Sequence, residues 1–168
     1  MLFRQMLVFA TARLAGRRLV PDDAAALLAV YGDPEVARYV GDGQPLSPEE
    51  SVRWVDVTHR NYALRGYGMF ALELDETGEL VGFAGLVHPG GQAEPELKYA
   101  LGRPFWGRGL ATEAARGLVA HGREAFGLAR IIATVDPRNL ASQGVLAKAG
   151  FAPAGARDDG TLVFATAP

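Results

Sequence analysis

The stretch RPFWGRGLATEAARG, residues 103–117, places two glycines immediately ahead of a helical pattern. Gly107 and Gly109 flank Arg108, and glycines this close together disfavour both a helix and a strand. They allow the backbone to approach another group closely. The N–H groups of the first helical turn follow directly, and because they have no acceptor within the helix they attract anions. The stretch predicts an anion-binding loop that leads into a helix over about residues 111–126.

Two familiar phosphate-binding motifs compete for this loop. A nucleotide P-loop requires the pattern GxxxxGK[ST], and no lysine follows these glycines, which excludes it. A dinucleotide-binding fingerprint fits better, because Gly107-x-Gly109-x-x-Thr112 opens a helix and Asp136 ends the next strand pattern. However, Thr112 replaces the third glycine and hairpin patterns precede the unit. A dinucleotide site is therefore a weak alternative for the function of this loop. A plain strand-to-helix turn with no ligand is a second weak alternative.

Helical and strand patterns alternate on either side of the loop. Besides the helix after the loop, helical patterns cover residues 22–32, 34–40, 47–66 and 139–150. Strand patterns cover residues 12–20, 67–74, 79–88, 95–102, 129–135 and 160–166. Short connections make the middle strands antiparallel, whereas the strand–helix–strand unit around the loop makes its two strands parallel. The expected fold is α/β, with a mixed, mostly antiparallel sheet and helices on both faces.

Composition indicates one globular domain over residues 1–168. The chain is 49% hydrophobic and 21% charged, with a net charge of −2, so no basic surplus favours nucleic acid. The apolar start is too short to span a membrane and makes a poor signal peptide, so we expect a cytoplasmic protein without a membrane partner. The absence of cysteine removes thiolate metal sites and a cysteine nucleophile, and no histidine or acid pair has metal-ligand spacing.

The loop resembles the acetyl-CoA loop of the GNAT superfamily of N-acetyltransferases, whose core pattern is [QR]xxGx[GA]. Trp106-x-x-Gly109-x-Ala111 occupies that pattern, with tryptophan in place of glutamine or arginine. This departure is familiar from enzymes resembling ribosomal-protein N-terminal-alanine acetyltransferases, whose loop reads like YWGxGxATEA. Three further segments are similar to that branch, namely TARLAGRRLVPDD, YGDPEVARYV and DPRNLASQGVLAKAGF. The similarity extends over about residues 11–151.

The resemblance implies a GNAT fold in which the strand before the loop splays from its parallel neighbour. Coenzyme A carries a pyrophosphate that the loop backbone and the helix start would bind through N–H groups, with Arg108 adding a charge-assisted contact. Its pantetheine arm would lie in the splay and pair with the strand backbone. The residues expected to contact the cofactor are Tyr99, Leu101, Trp106, Gly107, Arg108, Gly109, Leu110, Ala111, Thr112, Asn139 and Ser142.

The final helix carries the candidate for assisting departure of the thiol. Asn139, Ser142 and Leu146 share one helical face, which the resemblance directs at the cofactor's arm and thiol. Many relatives place a tyrosine where Leu146 stands, to protonate the leaving thiolate. Ser142 is the nearest hydroxyl and the predicted catalytic group, although it could instead bond its own helix backbone. Asn139 is also placed to cap the helix.

Transfer to an amine requires a group that removes the amine's proton. Glu96, in PELKY, aligns with the E-x-x-Y of this branch's fourth strand, and we expect its side chain to point at the gap near the thioester. Glu94 shares the same face in an extended strand. The alternatives to Glu96 are Glu94, water and the three histidines, of which His88 is the best placed; His59 is a further rival, and His121 is expected at the surface.

These features predict an acetyl-CoA-dependent N-acetyltransferase that acts on a primary amine. The acetyl group should pass directly in a ternary complex, because no cysteine can carry it. The alternative is a non-catalytic acyl-CoA-binding or sensing domain on the same fold, since the usual tyrosine is absent. The acceptor, a small molecule or a protein N terminus, does not follow from the fold. A monomer and a homodimer are both compatible with the sequence.

Overall fold

A single mixed sheet organises residues 6–168, the part of the chain described by the computed structural model. Its strands are β1 Leu7–Ala10, β2 Leu14–Arg18, β3 Met69–Leu74, β4 Leu80–Val87, β5 Glu96–Leu101, β6 Ile132–Val135, β7 Phe151–Ala156 and β8 Leu162–Thr166. Their spatial order is β1-β2-β3-β4-β5-β6-β8-β7. The β5–β6 pair is parallel and the consecutive strands β3, β4 and β5 are antiparallel, as the sequence predicts. The other neighbouring pairs within the described residues are also antiparallel.

Five α-helices lie within the described residues, and they begin and end near the predicted residues. They are α1 Asp23–Tyr31, α2 Pro34–Ala37, α3 Pro48–Arg65, α4 Leu110–Phe126 and α5 Leu140–Lys148. The capping box at the start of α3 is confirmed: Ser47 Oγ accepts from the Glu50 N–H, and the Glu50 carboxylate accepts from the Ser47 N–H. No helix in the described part of the chain is long and apolar enough to cross a membrane.

Helices cover both faces of the sheet, so the strands bury apolar side chains on two sides. One cluster lies between the sheet and α4 and includes Leu72, Leu86 and Leu118. The other lies against α1 and α3 and includes Leu27 and Phe83. The expected arrangement of layers is confirmed, and residues that alternate along β5 face opposite layers.

The parallel strands β5 and β6 meet at one end only. Glu96 pairs with Ile132, and this is their single paired position, whereas β5 pairs with β4 along its whole length. Beyond Glu96, the edge of β5 that faces β6 has no strand partner among residues 6–168, and the sheet opens toward Leu101. This opening, here called the strand gap, is the splay that the resemblance implies, and it leads to the glycine loop.

Two strands, β1 and β7, escape the sequence analysis. Both lie at the sheet edges. The β1 segment looks like an apolar chain start, and β7 contains Pro153 and Gly155, which are poor strand residues. An edge strand tolerates them, because one side of it needs no ladder hydrogen bonds. All but the first residue of β7 is exposed.

Candidate active site

The loop between β5 and α4 holds Gly107 and Gly109 in the left-handed region of backbone conformation. The φ angles are 73° at Gly107 and 76° at Gly109, which other residues adopt at a cost. A Cβ atom at Gly107 would meet nothing within 4 Å, so the loop has an open face. Helix α4 starts at Leu110 without a side-chain cap, which leaves the N–H groups of its first turn available to an anion.

Glu113, in the first turn of α4, fastens this loop to the turn between β1 and β2. Its carboxylate accepts hydrogen bonds from the Thr11 hydroxyl (2.7 Å), the Arg13 N–H (2.6 Å) and Arg13 Nε (2.7 Å). Arg13 also donates through Nη1 to the Arg108 carbonyl at 2.9 Å. Two of the motifs that carry the resemblance, TARL and ATEA, are therefore in direct contact. The sequence analysis missed this positioning role.

We expect acid to weaken this connection. Partial burial raises the pKa of Glu113, but hydrogen bonds from Thr11 and Arg13 lower it by more, so the net shift is downward. A lowered folded-state pKa stabilises the fold above the unfolded-state value, about 4, and this contribution disappears as the pH falls through the folded-state value. The free energy of unfolding should therefore fall less on acidification in Glu113→Gln than in the wild type.

Urea titrations at neutral pH and below about pH 4 measure this difference. Glu76→Gln is the matched control, since Glu76 is exposed in the turn between β3 and β4. Equal losses of stability in wild type and Glu113→Gln would show that the carboxylate contributes nothing through its partners.

A pair of hydroxyl groups spans the strand gap. Ser142 Oγ, on α5, lies 2.5 Å from the phenol oxygen of Tyr99, on β5. Asn139 caps α5 as predicted, its side chain accepting from the Ser142 N–H at 3.1 Å. Leu146, one turn beyond Ser142, is an apolar side chain that is buried in the core cluster. The sequence analysis used Tyr99 only for its backbone and missed its hydroxyl.

Glu96 lies at the closed end of the gap, on the opposite face of β5 from Tyr99. Its side chain is 1% exposed. Lys98 Nζ lies 2.8 Å from Oε2 and Arg157 Nη2 lies 3.6 Å from Oε1, and Oε1 accepts no hydrogen bond from the described residues. The side chain of Glu94 is 44% exposed instead and pairs with Arg130. The two acids thus occupy different environments, and the buried one lies beside the parallel pair.

A comparison with known protein families identifies the family to which this chain belongs. The family model described as an acetyltransferase (GNAT) domain matches residues 13–152. The chain belongs to the GNAT acetyltransferase family. It is an acetyltransferase, and the cosubstrate of this family is acetyl-CoA.

Relatives and solved structures agree with the GNAT assignment. An uncharacterised N-acetyltransferase, p20, of Bacillus licheniformis is 32% identical over 145 residues, covering 84% of this chain and 80% of that protein. The crystal structure of an acetyltransferase from Agrobacterium tumefaciens is 27% identical, with a TM-score of 0.78 over 95% of this chain and 93% of that one. RimL, a ribosomal L7/L12 α-N-protein acetyltransferase solved with coenzyme A, shares the fold at 18% identity, with a TM-score of 0.79 over 96% and 97% of the chains.

The remaining residues expected to contact the cofactor lie around the GNAT loop. Trp106 is 48% exposed and folds back, donating from Nε1 to the Leu101 carbonyl at 2.7 Å. The Leu101 side chain is buried in the core, so only its backbone can face the gap. Arg108 is exposed, with its guanidinium near the Phe105 ring. Leu110 is buried, whereas Ala111 and Thr112 are half-buried.

Two of the three histidines of this GNAT domain use ring nitrogens in hydrogen bonds. His88 Nε2 lies 2.7 Å from the Tyr67 hydroxyl and its Nδ1 lies 2.9 Å from the Gln92 carbonyl. An imidazole protonated at Nδ1 satisfies both contacts and leaves no nitrogen free for an amine. His59 Nε2 donates to the Leu19 carbonyl at 2.8 Å.

The prediction that His121 lies at the surface is wrong. Its ring is half-buried and packs near Phe9, Phe70 and Phe126 at centroid distances of 6.0, 6.4 and 5.6 Å. Burial lowers the pKa of His121, against a smaller opposing effect of Glu124. The cause of the error is β1, which supplies Phe9 and which the sequence analysis did not foresee. Within residues 6–168, no three metal-ligating side chains cluster.

Proposed function

We propose that this GNAT domain transfers an acetyl group from acetyl-CoA directly to a primary amine in a ternary complex. The observation that carries the proposal is the strand gap, with a left-handed glycine loop at its open end. A hydroxyl pair lies on one face of β5 and a buried carboxylate on the other. A cosubstrate and an acceptor that enter from opposite faces would meet at this gap. The absence of cysteine supports direct transfer, because no thiol of the chain can carry the acetyl group.

The residues present fit coenzyme A. The open face over Gly107 and the uncapped start of α4 leave room and N–H groups for a pyrophosphate. The free edge of β5 offers backbone groups near Tyr99 and Leu101 to the amides of a pantetheine arm. Exposed Arg108 adds a positive charge beside the pyrophosphate site.

The chain's own residues divide the chemistry between the two faces. Bound acetyl-CoA supplies an acetyl group activated as a thioester. Ser142 donates a hydrogen bond where negative charge develops on the leaving sulfur, and such a bond is strong in a site that excludes water. Glu96 accepts the proton that the attacking amine loses, directly or through water. The acceptor is a primary amine of a small molecule or of a protein N terminus.

Ligand-dependent melting tests the cosubstrate. At a concentration of about 100 Kd, acetyl-CoA should raise the Tm by roughly 5 °C or more, because a ligand that binds only the folded state stabilises it. NAD at the same concentration should leave the Tm unchanged. An equal shift with NAD would favour the dinucleotide site instead.

Turnover separates an enzyme from a sensing domain, since both bind the cosubstrate. A panel of amines, including polyamines, amino acids, aminoglycosides and peptides with free N termini, would be screened by thiol release from acetyl-CoA. Thiol release that depends on the amine supports the proposed function. Tight binding of acetyl-CoA without release across the panel would favour the non-catalytic alternative.

A further inference from the structure

The hydroxyl groups of Tyr99 and Ser142 form a contact that bridges two elements of the fold, β5 and α5. Tyr99 lies on β5, three residues after the last point at which that strand pairs with β6. Ser142 lies on α5, which follows β6 along the chain. The hydrogen bond therefore crosses the strand gap at the level where the parallel strands separate, and a ligand arm in the gap must pass beside it.

We propose that Tyr99 is a positioning residue that orients Ser142 and passes a proton to it as Ser142 protonates the departing sulfur. This inference rests on the proposed function and adds to it a residue that acts through Ser142. The pair replaces the single tyrosine that many relatives carry at the position of Leu146, using a phenol from a strand and a hydroxyl from the helix.

The direction of the hydrogen bond follows from the acidity of the two groups. A phenol is a much stronger acid than an aliphatic hydroxyl, so Tyr99 is the better donor and Ser142 the better acceptor. When Ser142 Oγ accepts from Tyr99, its own hydrogen is free to point at a third group. The cap formed by Asn139 holds the Ser142 backbone in place, so the hydroxyl is already directed before a ligand arrives.

The phenol of Tyr99 is protonated at neutral pH, as an ordinary tyrosine is, and burial makes it hold the proton more firmly. Its ring packs against the main core cluster. This burial raises the pKa of Tyr99, and the hydrogen bond to Ser142 opposes the rise without cancelling it. The proton is therefore present when the reaction needs it. Leu146 has no hydroxyl that could compete for the sulfur, and its side chain packs within the same cluster.

The step balances in atoms and electrons. The amine nitrogen forms a bond to the carbonyl carbon, and the carbon–sulfur bond breaks with its electron pair passing to sulfur. The Ser142 hydrogen moves to sulfur while the Tyr99 hydrogen moves to Ser142 Oγ. The proton lost by the amine passes through Glu96 to solvent, and solvent returns a proton to the Tyr99 phenolate. The products are the N-acetylated amine and a free thiol.

Kinetics of three variants test the relay. We expect Tyr99→Phe to lower kcat about tenfold and Ser142→Ala to lower it by about the same factor or more, with the Kd for acetyl-CoA unchanged in both. The double variant should be no slower than Ser142→Ala, because Tyr99 acts only through Ser142. Tyr31→Phe is the matched control, since it also removes a buried phenol oxygen but lies in the other core cluster. Multiplying losses in the double variant would overturn the relay.

A spectroscopic titration supplies a readout that does not depend on activity. Tyrosinate absorbance in the ultraviolet, taken as the difference between wild type and Tyr99→Phe, reports the ionisation of Tyr99. Removing the Ser142 hydroxyl should raise the pKa of Tyr99 further, because the tyrosinate formed during the titration loses the hydrogen bond that Ser142 turns to donate to it. If Tyr99→Phe fails to fold, the total tyrosinate titration curves of wild type and Ser142→Ala decide the matter. An unchanged titration would overturn the proposal.

The outcomes separate this inference from the proposed function. If the wild type releases no thiol with any amine, the proposed function fails whatever Tyr99 does. If the wild type turns over and Tyr99→Phe is equally fast, the relay alone is wrong.

The alkaline limb of the pH–rate profile gives a third measurement. It should reflect ionisation of the phenol in the wild type and be absent in Tyr99→Phe, which a merely structural role for the ring would not produce.

Discussion

Replacing Gly109 with valine is expected to abolish measurable binding of acetyl-CoA while the domain remains folded. The φ angle of 76° at this residue is strained for any side chain, and most strongly for a β-branched one. A Cβ atom would also lie 3.5 Å from Arg13 Nη2, so the methyl groups of valine would press on the side chain that holds the Arg108 carbonyl. Both effects displace the N–H groups at the start of α4.

The expected loss of affinity is at least about 100-fold, which corresponds to roughly 2.7 kcal/mol. Titration calorimetry measures it, and chemical unfolding shows that the variant is folded. Gly78→Val is the matched control: Gly78 has a φ of 74° in the turn between β3 and β4, and a Cβ atom there meets nothing within 4 Å. It carries similar backbone strain far along the chain from the loop. Undiminished affinity in Gly109→Val would show that the loop is only a turn.

Local rules account for most of the fold. The helices follow from apolar periodicity and from caps such as the Ser47–Glu50 box, and the parallel pair follows from the handedness and length of the crossover around α4. Gly107 and Gly109 lie outside helix and strand, as their spacing predicts, and both adopt a left-handed backbone. Each of these features depends on residues that are close in sequence.

The errors occur where a distant element changes the environment of a residue. Helix α4 carries Gly117, where a Cβ atom would lie 2.6 Å from Thr11 Cγ2. A glycine inside an otherwise helical pattern is a signal of close packing by another element, which here is the set of side chains of the hairpin that contains β1. That same hairpin covers His121 with Phe9.

The periodicity of the sequence also does not predict the side-chain pairs in the site. Thr11 and Arg13 meet Glu113 across about 100 positions of sequence, and Tyr99 meets Ser142 across 43. Alternation does not predict the different burial of Glu94 and Glu96. Glu96 lies between two neighbouring strands, whereas Glu94 precedes β5 and its side chain is 44% exposed.

The second large effect is expected at that buried acid. Glu96→Gln should lower kcat by roughly 100-fold, because glutamine keeps the size of the side chain but cannot accept the proton of the amine. In the free protein Arg157 lies 3.6 Å from Oε1, which accepts no hydrogen bond from the described residues. An incoming ammonium group would replace Arg157 beside this oxygen. The variant should fold, since the side chains of Lys98 and Arg157 are 43% and 46% exposed and can turn to water.

Steady-state rates of thiol release with an active amine, measured across pH, distinguish the candidates for the base. Glu94→Gln is the competing variant, because Glu94 lies two residues away and differs from Glu96 mainly in its exposure. A loss in Glu94→Gln with none in Glu96→Gln would transfer the role to the exposed acid. Unchanged rates in both, over the whole pH range, would mean that water deprotonates the amine. If Glu96 is the base, the 100-fold loss should persist when acetyl-CoA is saturating, because Glu96 acts on the acceptor and contributes nothing to binding of the cosubstrate.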